Sequence, residues 1–326
     1  MMIIGGVQSQ VNTTTAQFQG NASISSLSDG GWVVAWQSYA QDSSDNGVYL
    51  QRYDASGAAV GGETLVNVNT YLDQAEPDVV GLADGGWVVT WQSYWQVYSD
   101  WSIYQQAYDS DGNVVWSEHA ASSAGGDPAV AALDDGRWFS VSSASSTYFN
   151  TTLSNPDTLS NATGTISSPY GELLRDADIA VLADGGWVVT WSSSYGGTDY
   201  GIRQTRYNAA GSRISGNDIV DTNGTGEQTK SAVAALADGG WVVVWQSDAS
   251  GDMDIVLQRY NSSGMFVGSE TRVNTTTSGS QSLPAIAGLD NGGWSSSGRA
   301  RGAATAPASS SRSMTLPAIR AAPRRW

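Results

Sequence analysis

The chain has 326 residues and a formal net charge of −16, from 31 acidic against 15 basic residues. This charge disfavours nucleic acid and anionic membranes as partners, and no stretch is apolar and long enough to insert into a membrane. The lack of cysteine excludes disulfides and thiol chemistry, and a single histidine excludes a multi-histidine metal site.

The first element along the chain is the segment GGVQSQVNTTT, residues 5–15. It matches the end of a repeat unit rather than its beginning, because Val11 precedes Gln19 by the same spacing that separates Val66 from Gln74. We predict that this segment is a fourth strand without the first three, which completes the last blade of a ring.

A unit of about 50 residues then recurs along the chain. Each unit starts with a short apolar strand such as Pro77–Leu82, followed by an Asp-Gly-Gly turn and a strand of the pattern WVVxW. A third strand within residues 47–57 and a fourth within 61–67 complete the first unit. The turn tryptophans that mark the six units are Trp32, Trp87, Trp138, Trp187, Trp241 and Trp294.

Four antiparallel strands per unit predict an all-β, β-propeller-like fold with five to six four-stranded blades. The tryptophans of the WVVxW strands are expected to be buried between blades. Arg52, Arg206 and Arg259 share one third-strand position, and this repetition predicts structural ion pairs. The unit at 138–177 lacks the second tryptophan and the third-strand motif, so we expect an irregular blade there.

The sixth unit keeps its turn and then diverges, reading DNGGWSSSGR where earlier units read ADGGWVVVWQ. A single lost base accounts for the change. Deleting one G from TGG GTC GTC GTC TGG CAG gives TGG TCG TCG TCT GGC AG, which encodes Trp-Ser-Ser-Ser-Gly-Arg. We therefore predict a repeat domain over residues 1–294 and a frameshifted, disordered basic tail over 295–326. The last blade is then broken, the ring is open or weakly closed, and its exposed strand edge favours self-association.

The sequence LADGGWVVTWQS, together with GVYLQRYDASGAAVGGETLVN, resembles tandem repeats of large secreted proteins of Gram-negative bacteria. Such repeats often lie next to RTX-type calcium-binding segments. The resemblance implies a propeller-like architecture and type I export through a C-terminal signal, without implying a defined activity. The RTX nonapeptide itself is absent, so its calcium site is not carried over.

Aspartates recur in the loop after the second strand, eight residues before the third-strand tyrosine. Their main interpretation is structural, as turn caps; the alternative is a calcium ligand in each blade, because hard cations prefer oxygen ligands. The candidate calcium ligands are Asp45, Asp100, Asp199, Asp252 and Asp254.

The loop SYWQVYSDW has no aromatic counterpart in other units. Its aromatic side chains are candidates for a ligand-contacting surface. They are Tyr94, Trp95, Tyr98 and Trp101.

Catalysis needs non-repeated chemistry, and the sequence displays little of it. The main expectation is therefore a non-catalytic binding or adhesion module at the cell surface or outside the cell, with a glycan or cell-surface ligand and calcium as the one candidate cofactor. One alternative is a structural spacer of a larger secreted protein, and a second is a glycan-processing propeller enzyme. The segment MMIIGG has no features of a secretory signal peptide.

Overall fold

The computed structural model describes residues 10–96, 100–145, 147–156, 160–167, 172–194, 200–222, 224–289 and 292–300. These residues form only strands, turns and loops, and none belongs to a helix long and apolar enough to cross a membrane. The chain divides into two compact units, Met1–Trp138 with Thr152–Ala162, and Phe139–Thr151 with Thr163–Trp326.

The strands form six antiparallel sheets, and in each sheet the strands lie side by side in chain order. Sheet 1 contains β1 (Gln19–Ser26), β2 (Trp32–Tyr39), β3 (Asn46–Tyr53) and β4 (Ala59–Leu65). Sheet 2 contains β5 (Gln74–Gly81), β6 (Trp87–Tyr94), β7 (Trp101–Tyr108) and β8 (Val114–Ser122). Sheet 3 contains β9 (Gly126–Ala132), β10 (Trp138–Ser145), β11 (Tyr148–Asn155) and β12 (Ser160–Ser167).

Sheet 4 contains β13 (Leu173–Val181), β14 (Trp187–Ser194), β15 (Tyr200–Tyr207) and the short β16 (Asp218–Ile219). Sheet 5 contains β17 (Gln228–Ala235), β18 (Trp241–Ser247), β19 (Asp254–Tyr260) and β20 (Phe266–Arg272). Sheet 6 has two strands among the described residues, β21 (Gln281–Gly288) and β22 (Trp294–Ala300). The prediction of an all-β, propeller-like fold built from repeated four-stranded blades is confirmed. Whether sheet 6 has further strands after Ala300 falls outside the described residues.

The Asp-Gly-Gly turn has the same backbone in successive sheets. In sheet 1, Gly30 has a φ of 84°, and the amide of Leu27 donates to the carbonyl of Gly31 over 2.9 Å. A Cβ on Gly31 would lie 2.3 Å from the carbonyl oxygen of Tyr53, so only glycine fits there. The same approach recurs at Gly86, Gly186 and Gly240.

The turn tryptophan stacks on the tyrosine that ends the third strand, with ring centroids 4.9 to 5.6 Å apart. The pairs are Trp32–Tyr53, Trp87–Tyr108, Trp187–Tyr207 and Trp241–Tyr260. Seven of the eight WVVxW tryptophans are buried, and Trp32 is half-buried. The predicted core role of these indoles is therefore confirmed, with Trp32 as the exception.

The repeated arginines connect neighbouring sheets. Arg52 forms an ion pair with Asp29 of its own turn at 2.7 Å, and its guanidinium lies 5.7 Å from the ring centroid of Trp87 in the next sheet. Arg206 makes the same two contacts with Asp184 and Trp241. Arg259 makes them with Asp238 and Trp294. The prediction of structural pairing is confirmed.

The eight-residue spacing between valine and glutamine also has a structural cause. The Asn67 side chain follows Val66, accepts the amide of Val48 over 2.7 Å and donates to Gln74 Oε1 over 3.1 Å. It therefore joins the third strand of one sheet to the first strand of the next.

Three expectations need correction. The degenerate unit at 138–177 contributes its strands β10 to β12 to a four-stranded sheet. Two of its phenylalanines pack on the next sheet: Phe149 is fully buried, and Phe139 lies 4.8 Å from Trp187. Strand structure also continues past Trp294 to Ala300, since β22 pairs with β21 through the backbone. The predicted N-terminal strand at 5–15 is also wrong over its described part, since residues 10–18 contain no strand. Residues 5–9 of that prediction and the tail from residue 301 lie outside the described residues.

Candidate functional site

The first strands of the sheets carry bulges at equivalent positions. In five of them the pairing with the second strand shifts register around one residue, and that residue has a φ near +50°. Asp127 has the same conformation in β9. Bulges of this kind redirect side chains and are frequent beside active sites. The six bulge residues are Asn21, Glu76, Asp127, Asp176, Lys230 and Leu283.

A side chain from the preceding sheet fixes the bulge backbone. Gln37 Oε1 accepts the amide of Glu76 over 3.1 Å, and Gln246 Oε1 accepts the amide of Leu283 over the same distance. Gln92 serves Asp127 in this way, and Ser192 serves Lys230. The backbone geometry is therefore repeated, while the side chains at the bulges differ in charge.

In the second compact unit, at the bulges of sheets 4 and 5, a group of charged side chains comes together that we call the Asp176 cluster. Its members are Arg175, Asp176, Ser192, Tyr200, Glu227 and Lys230. Lys230, the sole lysine of the chain, donates to Asp176 Oδ1, and the Ser192 hydroxyl donates to Oδ2 over 3.3 Å.

Arg175 links the second carboxylate to the cluster. Its guanidinium donates to Glu227 over 2.8 Å, lies 3.8 Å from Asp176 Oδ2 and covers the ring of Tyr200 at 3.5 Å from the centroid. The Asp176 side chain is 10% exposed, whereas those of Lys230 and Arg175 are 50% and 42% exposed. A shielded carboxylate therefore lies beneath two cations that reach solvent, so charged hydrogen-bond donors and acceptors meet at one place on the surface.

A second polar group flanks the cluster on the same sheet. Arg203 donates to Glu172 over 2.9 Å and to the Ser193 hydroxyl over 3.0 Å, and that hydroxyl donates to Glu172 over 2.8 Å. These contacts hold β15 against β14 and place a buried carboxylate near the strand ends.

In the first compact unit, the first strands of sheets 1 to 3 form a different hydrogen-bond network around their bulges. The Asn21 amide donates to Gln37 Oε1 over 3.0 Å and to Glu76 Oε1 over 2.7 Å. Asp78 accepts the Ser23 hydroxyl over 2.6 Å and the Val130 amide over 2.8 Å, so it ties three first strands together. Burial raises the pKa of the Asp78 carboxyl, against the opposing effect of these hydrogen bonds.

Three of the four predicted aromatic residues form one cluster. The ring of Tyr94 lies 6.2 Å from that of Trp95 and 5.2 Å from that of Trp101, and Trp95 is 56% exposed. Tyr98 lies outside the described residues. In sheet 1, Ala40 occupies the place of Trp95 with a similar left-handed backbone, so the hairpin itself does not require an aromatic residue.

The predicted calcium ligands have separate protein partners. Asp100 accepts the amide of Trp101 over 2.8 Å, Asp252 accepts that of Gly279 over 3.1 Å, and the buried Asp254 accepts from Ser250, Asn274 and Arg272. The carbonyl of Asp45 closes its hairpin, and Asp199 lies outside the described residues. Within the described ranges no three acidic or histidine side chains group into a metal site. Calcium binding stays a prediction.

Sequence reasoning missed the Asp176 cluster. The available signal was the position two residues after the first-strand glutamine, which is Asn21 after Gln19, Glu76 after Gln74 and Lys230 after Gln228. It changes charge from unit to unit while its neighbours repeat. The sequence alone did not reveal that this position is a bulge.

No family model and no curated protein matches the chain. Solved structures do. A protein of unknown function from Dyadobacter fermentans is 12% identical with a TM-score of 0.59, over 90% of this chain and 94% of that one. An ulvan lyase, a polysaccharide lyase, is 10% identical with a TM-score of 0.57, over 83% and 78% of the two chains. The same type of enzyme bound to -[GlcA(1-4)Rha3S]- gives a TM-score of 0.56.

At this identity the likeness shows the fold, and the chain is a β-propeller protein. The comparison corrects the functional expectation. The main prediction of a non-catalytic adhesion module is wrong, because a structural neighbour with this fold is a polysaccharide lyase.

Proposed function

We propose that this chain is a glycan-processing enzyme that cleaves glycosidic bonds of a polysaccharide at the Asp176 cluster. The observation that carries the proposal is the Asp176 carboxylate, which is largely shielded and accepts from both Lys230 and Ser192. It projects from a left-handed bulge, a conformation that costs energy for a residue other than glycine.

The cluster supplies the groups that glycosidic cleavage requires. In hydrolysis a base deprotonates the water that bonds to the sugar carbon, and in elimination it removes the proton beside a uronate carboxylate as a carbon–carbon double bond forms. In both cases a donor protonates the leaving oxygen, and carboxylates commonly fill one or both roles. In our proposal the Lys230 ammonium and the Asp176 carboxylate form the proton-transfer pair. Arg175 presents a planar fork that binds sugar oxygens or a uronate carboxylate, and Glu227 orients it.

The test is an assay for new reducing ends on a panel of neutral and uronate-containing polysaccharides, with absorbance at the wavelength of an unsaturated uronate to separate elimination from hydrolysis. We expect Asp176→Asn and Lys230→Met to lower kcat at least ~100-fold on the responsive substrate. Asp127→Asn, which changes a carboxylate at the equivalent bulge of sheet 3, is the matched control. Retained activity in both cluster variants, or no product from any polysaccharide, would overturn the proposal.

The cluster of Tyr94, Trp95 and Trp101 is proposed as a separate sugar-binding surface. An exposed indole stacks on the apolar face of a pyranose ring, and the two neighbouring rings hold it in place. Trp95→Ala reproduces the hairpin that Ala40 forms in sheet 1, so we expect unchanged thermal stability, a raised KM and an unchanged kcat. An unchanged KM would exclude this surface from substrate binding.

We also propose that the protein acts outside the cell, as the resemblance to secreted repeats and a polymeric substrate both favour. Fractionation of the producing cells, with an immunoblot of medium and cell pellet, tests this location. In this proposal calcium is a stabilising ion and takes no part in the reaction.

A further inference from the structure

Sheet 1 exposes an apolar side chain at a position that is buried in the other complete sheets. Ile24 lies five residues after the first-strand glutamine and is 66% exposed. The residues at the same position of sheets 2 to 5 are only 4 to 7% exposed; they are Val79, Val130, Ile179 and Val233. The repeat therefore builds a packing surface at this position, and among the described residues of sheet 1 the Ile24 side chain on that surface is left exposed.

The junction between sheets 1 and 2 defines what this surface binds. There the first strand of one sheet packs along the first strand of the next: Ser23 donates to Asp78 over 2.6 Å, and the Gly81 amide donates to Ser25 over 2.9 Å. Val79 joins a common apolar cluster with Leu27. The natural partner of such a face is the first strand of another sheet.

The turn tryptophan gives a second sign of the uncovered face. Trp87, Trp241 and Trp294 each lie beneath an arginine of the preceding sheet. The five other turn tryptophans are only 0 to 7% exposed, with or without such an arginine, whereas Trp32 is half-buried. The N-terminal segment covers part of this side, since Val11 packs against Trp36.

Sheet 6 exposes the complementary face. Ala287 is exposed, whereas Ala180 and Ala234 at its position in sheets 4 and 5 are buried. Leu283 on the same strand is 53% exposed. This is the side that each inner sheet turns toward its successor, so sheets 1 and 6 expose opposite halves of the same repeated interface.

The composition of the two strands supports the match. β1 reads QGNASISS and β21 reads QSLPAIAG, and neither contains a charged residue. The first strands of the four sheets between them each contain at least one charged residue. In a chain with a net charge of −16, two uncharged strands add no like-charge repulsion of their own at the contact.

We propose that sheet 6 of one molecule docks on sheet 1 of a second copy, so that the chains associate head to tail through the interface that joins their own sheets. The contact is heterologous, because it joins two different surfaces, and it propagates beyond a dimer unless the rotation closes a ring.

Sedimentation across a range of protein concentrations gives the first test. We expect the wild-type chain to associate reversibly, and Ile24→Asp to weaken association at least tenfold. Val68→Asp, at a residue that is 73% exposed and outside β1, is the matched control. A wild-type chain that stays monomeric at all concentrations, or equal association of Ile24→Asp, would overturn the proposal.

Cross-linking gives a second test that does not depend on a charged substitution. Because the chain has no cysteine, Ile24→Cys and Ala287→Cys can be made in separate batches and mixed with a short bis-maleimide. We expect rapid cross-linking only in the mixture of the two variants. Equal cross-linking within either variant alone, or none in the mixture, contradicts head-to-tail docking.

Discussion

The guanidinium of Arg259 in sheet 5 covers the indole of Trp294 in sheet 6, with 5.9 Å between the guanidinium carbon and the ring centroid. Trp294 is 7% exposed and joins an apolar cluster with Val242 and Val244 of sheet 5. The last residue before the sequence diverges from the repeat is therefore part of the core of the preceding sheet.

Replacing Trp294 should consequently destabilise more than its own strand. We expect Trp294→Ala to lower the free energy of unfolding by about 3 kcal/mol, the usual range for truncating a buried aromatic side chain. Urea titration followed by tryptophan fluorescence and circular dichroism measures it, with the exposed Trp95→Ala as control. Equal midpoints for the two variants would show that sheet 6 contributes nothing to the stability of sheet 5.

The second glycine of the Asp-Gly-Gly turn should be intolerant of a side chain. A Cβ on Gly240 would lie 2.2 Å from the carbonyl oxygen of Tyr260, so the hairpin must shift to admit one. We expect Gly240→Ala to cost about 2 kcal/mol or more. Gly62→Ala, where no atom lies within 4 Å of the added carbon, should change the melting temperature little. Similar losses in both variants would contradict the steric explanation.

The sequence predicted these turns because their chemistry is local and repeated. It also predicted the arginine pairs, since a charge that recurs at one register must have a recurring partner. The Asp176 cluster was beyond reach for a different reason: Asp176 and Lys230 are 54 residues apart and meet only because neighbouring first strands align their bulges. The sequence did not predict strand β22, because its serines break the apolar alternation of a strand. The backbone of Ser295 and Ser297 nevertheless pairs with β21.

Asp221 provides a pH-dependent test, because asparagine occupies its position in two other sheets, as Asn67 and Asn274. Burial, reinforced by the charge of Glu270, raises the pKa of the Asp221 carboxyl in the folded state, although the Ile202 amide opposes the shift. Its contribution to stability is therefore fully present below about pH 4 and is lost as the pH rises through the folded pKa.

We accordingly expect Asp221→Asn to stabilise the protein by about 1 kcal/mol at pH 7, with the gain vanishing as the pH approaches 4. Melting curves between pH 4 and 8 measure the difference, and Asp252→Asn serves as an exposed control. A gain that does not depend on pH would rule out ionisation as its cause.

Ser296 tests the predicted frameshift at a single residue. It stands where Val243 stands in sheet 5, is 2% exposed, and its hydroxyl has no hydrogen-bond partner in the described structure. We expect Ser296→Val to raise the free energy of unfolding by about 1 to 2 kcal/mol, because it removes an unpaired buried hydroxyl and adds apolar surface. Inserting one G after codon 294 should stabilise further by restoring the whole strand. If both changes leave the melting temperature unaltered, the frameshift explanation fails.

Calcium is the remaining prediction from the sequence. If the loop aspartates bind the ion in the folded state alone, millimolar calcium should raise the melting temperature and a chelator should reverse the effect. Asp252→Asn should reduce the response, and equimolar magnesium is the control for ionic strength. Identical melts in calcium and chelator would leave these aspartates as turn residues.

The bulge of each first strand can hold a different side chain on the same backbone. Because Gln37, Gln92 and Gln246 hold the next bulge through its backbone amide, the side chain there can be changed without disturbing its support. Each bulge is therefore a position for protein engineering, for instance by a Leu283→Lys substitution that introduces a second ammonium group. An array of repeats can therefore carry a different functional group in each repeat, while the backbone that supports these groups stays the same.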